Sequence, residues 1–219
     1  MQKAVPMWFC NISKHDSDKI KGYQVRATVG GKEVQPFFGG LSNESLKAAL
    51  KERNKIWKQN GIIARNVLMS PLKGTVKSKE SSSGWHGIYD KTEVERSGTA
   101  CDVYAVHLRN LATGKPTNRA FRKHLYKTPE AALREAKALR KRNINAFNEM
   151  VEEYNDSIYG DAVKLADKEA RQLKPFLNDM IGFDQKRWAK VFKKHFPSGL
   201  QSNIDPKIGK VTKKAGKQR

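Results

Sequence analysis

The fold is decided by residues 84–154, GWHGIYDKTEVERSGTACDVYAVHLRNLATGKPTNRAFRKHLYKTPEAALREAKALRKRNINAFNEMVEEY. In the middle of this stretch Tyr104, Val106 and Leu108 occupy every second position, so their side chains would point to one face of a β-strand. His107 and Arg109 would point to the other face. The pattern predicts a sheet with one apolar face and one basic face.

Two further strands are predicted on either side of this one, over residues 85–89 and 117–126. The connections, residues 90–98 and 110–116, are short and contain glycines that favour turns. Short connections join neighbouring strands that run in opposite directions. We therefore expect an antiparallel meander of three strands.

A long helix is predicted to follow the third strand. Thr128 has the position of an N-cap, Pro129 the first helical position, and Glu130 places a negative charge where the helix dipole favours it. The helix would cover the apolar face of the sheet with a stripe in steps of three and four that the polar Asn143 interrupts. The stripe consists of Ala132, Ala136, Leu139, Phe147, Met150 and Tyr154.

The same order of elements recurs in residues 7–60. Three segments there match the later stretch, and the offset between matches only grows along the chain, as duplicated units with loop insertions would show. Gly30 and Gly31 would form a two-residue hairpin turn, and Ser42 would cap the helix. The chain is therefore interpreted as two units of one plan, either duplicated or alike by chance. The matches are 8–14 with 85–91, 23–26 with 104–107, and 42–44 with 128–130.

These patterns predict an α+β fold with two small units of a three-stranded antiparallel sheet plus one packing helix, then a C-terminal helical segment and a basic tail. Two C-terminal helices, over 162–174 and 184–195, would pack against the far end of the long helix. The predicted divisions are 1–62 for the first unit, 63–83 for a mobile or groove-tracking linker, 84–158 for the second unit, 159–200 for the C-terminal helices and 201–219 for a disordered tail.

The charge of the chain indicates a polyanionic partner. The 219 residues hold 43 Lys and Arg against 22 Asp and Glu, a formal net charge of +21 at pH 7. This excess favours nucleic acid, with a merely basic protein as the alternative. Cys10 and Cys101 lie among apolar neighbours and are expected to be buried thiols. No apolar run approaches a membrane span, and the N-terminus lacks a secretory signal. Both observations favour a cytoplasmic protein that is associated with the nucleoid, or that works in the host cytoplasm if it is phage-encoded.

A family resemblance supports a DNA partner. The first unit joins its third strand to its helix through FGGL at residues 38–41 and SNE at 42–44, and the second through FRKHLYKTPEAA at 121–132. This arrangement resembles tandem Apetala-two or ethylene-response-factor DNA-binding domains, the second unit being similar to bacteriophage and apicomplexan relatives. The resemblance implies a sheet laid in the DNA major groove with a helix packed behind it. The Arg-rich first strand and the second-strand Trp of the plant domains are missing, so base specificity does not carry over.

Outward-facing strand residues are the DNA-binding candidates. A strand ribbon fits the major groove, where Arg reads guanine and Gln reads adenine, while Lys holds phosphates. Arg119 is the weakest candidate, because strict alternation places it on the face of Phe121. The positions that match the family are Lys14, Gln24, Arg26, Thr28, Gln35, Lys91, Arg96, His107, Arg109, Arg119 and Arg122, and the tail phosphate contacts are Lys210, Lys213, Lys214 and Lys217.

Motifs for catalysis are missing. The five histidines are scattered without the spacing of a zinc site, and no phosphate loop of the nucleotide-binding kind is present. We therefore predict no enzymatic activity, no catalytic residue, no metal and no cofactor. The predicted function is double-stranded DNA binding by a transcription regulator or DNA-coating factor, encoded by a bacteriophage or mobile element. The alternative is a host-takeover protein whose C-terminal helices, around Trp188, bind a protein partner. RNA is less favoured, because Phe37 is the one obvious stacking residue on the sheets.

Overall fold

The structure, a computed structural model, describes residues 8–94 and 97–199. These residues form an α+β fold with three small antiparallel sheets and three α-helices, which confirms the predicted class. The chain divides into two compact units. Unit 1 comprises Met1–Met69 and Tyr154–Asp184, and unit 2 comprises Ser70–Glu153 and Gln185–Arg219. The predicted divisions differ from these units, because residues 154–184 belong with the N-terminal part of the chain.

The strands of unit 1 form a three-stranded sheet and a separate hairpin. The sheet has the order β1-β2-β5, and β3 pairs with β4. Gly30 and Gly31 have φ angles of 56° and 80°, as a two-residue turn between β3 and β4 requires. The bounds are β1 Ile12–Asp16, β2 Lys21–Val25, β3 Ala27–Val29, β4 Lys32–Val34 and β5 Phe37–Gly39.

Unit 1 departs from the predicted plan of one three-stranded sheet, because its chain leaves the sheet at two points. At Arg26 the N–H still donates to the Asn11 carbonyl at 2.8 Å, in register with β1, but the Arg26 carbonyl accepts from the Asn11 side-chain amide, and β2 ends there. The second break lies near Pro36, whose nitrogen carries no hydrogen for a strand partner. The Pro36 carbonyl still accepts from the Val25 N–H at 3.0 Å, in register with the pairing of β2 and β5. Each break moves the chain from the sheet to the hairpin.

Helix α1, Asn43–Asn60, follows β5 and covers the sheet of unit 1. The Ser42 hydroxyl accepts from the Ser45 N–H at 3.2 Å, which confirms the predicted cap, and Gly61 ends the helix in the left-handed conformation. The apolar side of the helix is buried. Leu46, Ala49 and Leu50 pack against the apolar face of the sheet, while Trp57 is 2% exposed.

Unit 2 contains the antiparallel meander that the sequence predicted. Its strands are β6 Ile88–Val94, β7 Ala100–Arg109 and β8 Pro116–Arg122, in the order β6-β7-β8. The first strand was predicted three residues too early and ends five residues later than expected. The strand starts late because Gly87 has a φ of 73°, which is outside strand geometry. It continues beyond residue 89 because an edge strand tolerates polar residues.

Helix α2, Pro129–Gln172, is 44 residues long. Thr128 caps it, with its hydroxyl accepting from the Ala131 N–H at 3.2 Å. The prediction of a separate helix from residue 162 is wrong, because buried Ala162, Ala166 and Ala170 continue the helical period without a proline. Helix α3, Gln185–His195, confirms the second C-terminal helix, and a short 3-10 helix, Phe176–Met180, precedes it.

Asparagines of α2 hold extended backbone by two-point hydrogen bonds. In unit 2, the Asn148 side-chain amide accepts from the Leu72 N–H at 2.8 Å and donates to the Leu72 carbonyl at 2.9 Å. In unit 1, Asn155 binds the N–H and carbonyl of Met69 in the same way, both at 2.9 Å. The segment predicted as a linker is therefore fastened within each unit.

Asn143, the polar interruption in the predicted stripe, makes the same arrangement with Arg109 at the end of β7. Its hydrogen bonds to the Arg109 N–H and to the Arg109 carbonyl are each 2.8 Å long. A buried side-chain amide has donors and an acceptor to satisfy, and a strand end supplies their partners. The residue that looked like a fault in the stripe thus fixes where β7 ends.

Both cysteines are unpaired and buried, as predicted. Across residues 8–94 and 97–199, no helix combines the length and apolarity needed to cross a membrane.

Candidate nucleic-acid interface

The β6-β7-β8 sheet has one face packed on α2. Tyr104, Val106 and Leu108 of β7 are buried there, as predicted, together with Ala132 and Ala136 of the helix. Because side chains alternate along a strand, the residues between them lie on the other face. We call this other face the unit 2 outer face, and its polar members are Tyr89, Lys91, Glu93, His107, Asn118 and Arg122.

Strand register brings these side chains together across the sheet. Val103, on β7, lies opposite both Lys91 of β6 and Arg122 of β8. With neighbouring strands about 4.8 Å apart, the Cα atoms of Lys91 and Arg122 are separated by roughly 10 Å. Both side chains are exposed. Ala105 and Ala120 form the next outward pair along the sheet, and His107 and Asn118 form the one after it.

His107 sits against the ring of Tyr89, with ring centroids 4.7 Å apart. Partial burial lowers the pKa of His107, and the positive charges of Arg140, Lys91 and His86 lower it further. The imidazole is therefore neutral at pH 7. A neutral imidazole has one nitrogen that donates and one that accepts, which suits the edge of a base.

Lys91 is engaged within the chain. Its ammonium group lies 2.8 Å from the Glu93 carboxylate on the same face of β6. An exposed pair of this kind contributes little to stability. A phosphate could therefore replace the carboxylate at small cost.

Two predicted arginines do not belong to the unit 2 outer face. Arg119 lies opposite Val106 on the helix-facing side, with its guanidinium 5.3 Å from the centroid of the Phe121 ring. Arg109 has outward parity, yet its guanidinium turns to the ring of Phe147, at 5.4 Å. Ring faces attract the cations that a DNA contact would need. We therefore remove both arginines from the candidate set.

Lys14 is also misplaced in the prediction. It pairs in register with Tyr23, whose ring packs on the apolar core of unit 1, so it lies on the helix-facing side of the sheet. Its ammonium group is 2.8 Å from the Asp16 carboxylate, and that hydrogen bond raises the pKa of Lys14. This lysine belongs to an exposed ion pair at the sheet margin.

The remaining candidates of unit 1 lie on the outward side. Gln24 donates to Gln35 at 3.2 Å and contacts the His15 ring nitrogen at 3.1 Å, while Gln35 donates to the Glu33 carboxylate. These hydrogen bonds orient two side-chain amides toward solvent on neighbouring segments. Arg26 and Thr28 are exposed beside them. Of the other candidates, Arg96, Lys210, Lys213, Lys214 and Lys217 lie outside the described residues.

Reasoning from sequence missed Asn118 and Arg140. Asn118 has the same parity as Arg122 on β8, so alternation counted back from Arg122 would have selected it in place of Arg119. Arg140 left no local signal, because its partners are distant in sequence. It is 4% exposed and donates to the carbonyls of His86 and His107 at 2.8 Å and of Lys73 at 3.1 Å. It thereby supports the backbone beneath His107.

The position of Arg140 requires a glycine at residue 87. A Cβ atom at Gly87 would lie 2.4 Å from the guanidinium carbon, and the φ angle of 73° is strained for other residues. We expect Gly87→Ala to lower the free energy of unfolding by roughly 1–3 kcal/mol through backbone strain, with an added loss from the displaced guanidinium. Urea unfolding measures the change.

Gly84→Ala is the matched control. Gly84 has a φ angle of 75°, and a Cβ atom there would meet nothing within 4 Å. The control therefore reports strain without the collision. Equal losses in the two variants would show that the contact between residue 87 and Arg140 contributes nothing.

In the described part of the chain, His, Cys, Asp and Glu side chains form no group of three that could hold a metal ion. No protein-family model matches the sequence, and no curated protein or solved structure matches it either.

Proposed function

We propose that the chain is a non-enzymatic protein that binds double-stranded DNA, with the unit 2 outer face in the major groove. The observation that carries the proposal is the difference between the two faces of the β6-β7-β8 sheet. One face supplies the apolar core with α2, whereas the other presents Lys91, His107, Asn118 and Arg122. In a chain of net charge +21, such a face suits a polyanion.

The dimensions of the sheet agree with a groove contact. The major groove is about 12 Å wide and admits a β-ribbon. Lys91 and Arg122, roughly 10 Å apart at Cα, would reach toward its two walls or floor. Arg122 is suited to guanine, since a guanidinium can bind two acceptors of that base, and Asn118 is suited to adenine. Lys91 would hold a phosphate.

Unit 1 would act as a second module of the same kind. The support is a shared plan: an antiparallel sheet with β2 or β7 at its centre, followed by a helix capped by Ser42 or Thr128. The resemblance to tandem Apetala-two-type domains points the same way. In this module Gln24 and Gln35, already oriented by their mutual hydrogen bond, would meet adenine edges. A regulator or a DNA-coating factor is the corresponding role.

The alternative function, a protein partner bound around Trp188, is not supported by the position of this side chain. Trp188 is fully buried in unit 2, where its indole nitrogen donates to the Leu111 carbonyl at 2.8 Å. Its ring lies 5.4 Å from that of Phe147. A side chain in the core cannot serve as the exposed aromatic centre that protein interfaces use.

The reading role of Arg122 is tested by Arg122→Ala. On a duplex selected for tight binding, we expect a loss of about 1–3 kcal/mol in binding free energy, if the contact to guanine is bidentate. On a scrambled duplex the loss should be smaller, because only a general attraction is removed. Titration of both duplexes by fluorescence anisotropy gives the ratio of affinities.

Arg119→Ala is the control for this experiment. It removes the same charge from the same strand, but on the helix-facing side. Its affinity ratio should stay at the wild-type value, and thermal melting should establish that both variants are folded. The proposal fails if Arg119→Ala lowers the ratio as much as Arg122→Ala, or if neither variant changes it.

A further inference from the structure

A groove in unit 1 carries a concentration of positive charge away from the sheets. It runs between α1 and the last turns of α2, and we call it the α1 lysine groove. Four lysines of α1 recur at helical spacing along one wall. The charged residues that line the groove are Lys47, Lys51, Lys55, Lys58, Arg171 and Asp167.

Most of this charge is not neutralised within the chain. Asp167, the one carboxylate in the lining, lies 2.8 Å from the Lys58 ammonium and also accepts from the Asn54 amide at 3.3 Å. Lys55 has only a distant partner, Glu52 at 3.8 Å. Within the described ranges, Lys47, Lys51 and Arg171 form no ion pair. Like charges this close repel one another, so an external anion would stabilise the row.

The shape and length of the groove select an extended anion. Residues 47 and 58 are separated by about 16 Å along the helix axis. One DNA strand places a phosphate roughly every 3.4 Å along the duplex axis, so the row is long enough to meet several of them. Buried Asn54 and Ala170 contribute to the lining without adding a carboxylate. A row of flexible ammonium groups without an arginine fork at each step suits phosphates of any sequence.

We propose that the α1 lysine groove binds the phosphate backbone of DNA independently of sequence, in a contact separate from the outer faces of the sheets. Its place within unit 1 gives the contact a consequence. The sheet packs on one side of α1, and the lysines project from the other side. A straight duplex lying on the outward residues of unit 1 cannot reach them. The groove therefore takes a DNA segment other than the one on the outward residues of unit 1, a statement that rests on the proposed function of the sheets.

The test uses two duplexes and the full chain. One duplex is fixed to beads, a second carries a fluorophore, and retention of the fluorophore measures bridging. Anisotropy with a single duplex measures the proposed function separately. The variant is Lys47→Gln, Lys51→Gln and Lys55→Gln together, which keeps good helix formers at exposed sites. We expect it to lower bridging about tenfold or more, because up to three phosphate contacts are lost.

The matched control is Lys19→Gln, Lys21→Gln and Lys32→Gln together. These exposed lysines of unit 1 also remove three charges but do not line the groove. Bridging by the control should stay within about twofold of wild type, since losing a charge distant from the contact has a screened effect. Equal loss in the two variants, or wild-type bridging by both, would overturn the groove as a DNA site.

The remaining outcomes separate the groove from the sheets. If single-duplex binding is lost in the groove variant while Arg122→Ala binds normally, the groove is the DNA site and the reading role of the sheet is wrong. If wild-type protein binds poly-glutamate through the groove and fails to bridge duplexes, the occupant is an acidic protein segment and the DNA assignment is overturned. If neither is bound, the groove proposal fails.

Discussion

Raising the salt concentration from 50 to 200 mM is expected to weaken binding of a duplex of about two helical turns by roughly a thousandfold or more. Each phosphate that a Lys or Arg neutralises releases a counterion, and salt opposes that release. The net charge of +21 and the two basic surfaces described above supply enough cations for six or more such contacts, on the order of what this loss requires. Fluorescence anisotropy across the salt series measures the slope.

Deleting residues 207–219 gives the control. These residues contain six basic and no acidic side chains. The deletion should weaken binding to all sequences alike and lower the slope, leaving the ratio between a selected and a scrambled duplex unchanged. A salt response that is flat, or an absence of binding at 50 mM, contradicts the nucleic-acid proposal. A changed ratio would assign sequence reading to the tail.

Replacing Glu169 by alanine is expected to lower the free energy of unfolding by about 3–5 kcal/mol. Glu169 and Arg53 are both fully buried, with the carboxylate 2.9 Å from the guanidinium. Burial raises the pKa of Glu169 and lowers that of Arg53, each opposed by the charge of the other. Without the carboxylate, Arg53 remains a buried cation held by neutral groups. The loss is a large part of the stability of an ordinary domain.

Asp167→Ala provides a comparison from the same helix. Asp167 pairs with Lys58 near the surface, where both side chains are more than a third exposed, so its removal should cost at most about 1 kcal/mol. Urea unfolding measures both variants. The double replacement Arg53→Met with Glu169→Leu should recover much of the loss, because an apolar pair needs no compensation. A loss below about 1 kcal/mol for Glu169→Ala would show that the pair is dispensable.

Local signals predicted the elements that depend on local physics. Alternation in β7 identified its buried face, and Ser42 and Thr128 identified both helix starts, because a strand face and a cap are written in neighbouring residues. The breaks at Arg26 and Pro36 were missed. The first depends on a residue elsewhere in the chain, since the Asn11 side-chain amide takes the Arg26 carbonyl, and the second depends on the N–H that Pro36 lacks opposite Val25.

The candidate site was predicted in part for the same reason. Alternation along the strands correctly placed His107 and Arg122 on the outward side. Alternation alone does not say where the end of a long side chain lies. Arg109 is at an outward position, yet its guanidinium lies against the Phe147 ring. Arg119 was predicted from the family pattern although alternation placed it on the helix-facing side. The strand register shows that it does lie on that side. Arg140 was out of reach, since its three carbonyl partners lie 33 to 67 residues away.

The asparagines of α2 have a consequence for how this sequence can vary. Each amide binds the N–H and carbonyl of the residue it holds, and those two groups are the same in every amino acid except proline. Asn143, Asn148 and Asn155 are therefore indifferent to the side chains of Arg109, Leu72 and Met69. Aspartate, which has the same shape, would face a carbonyl oxygen with a second oxygen and repel it. Substitutions should accumulate freely at the three held positions and be rare at the three asparagines.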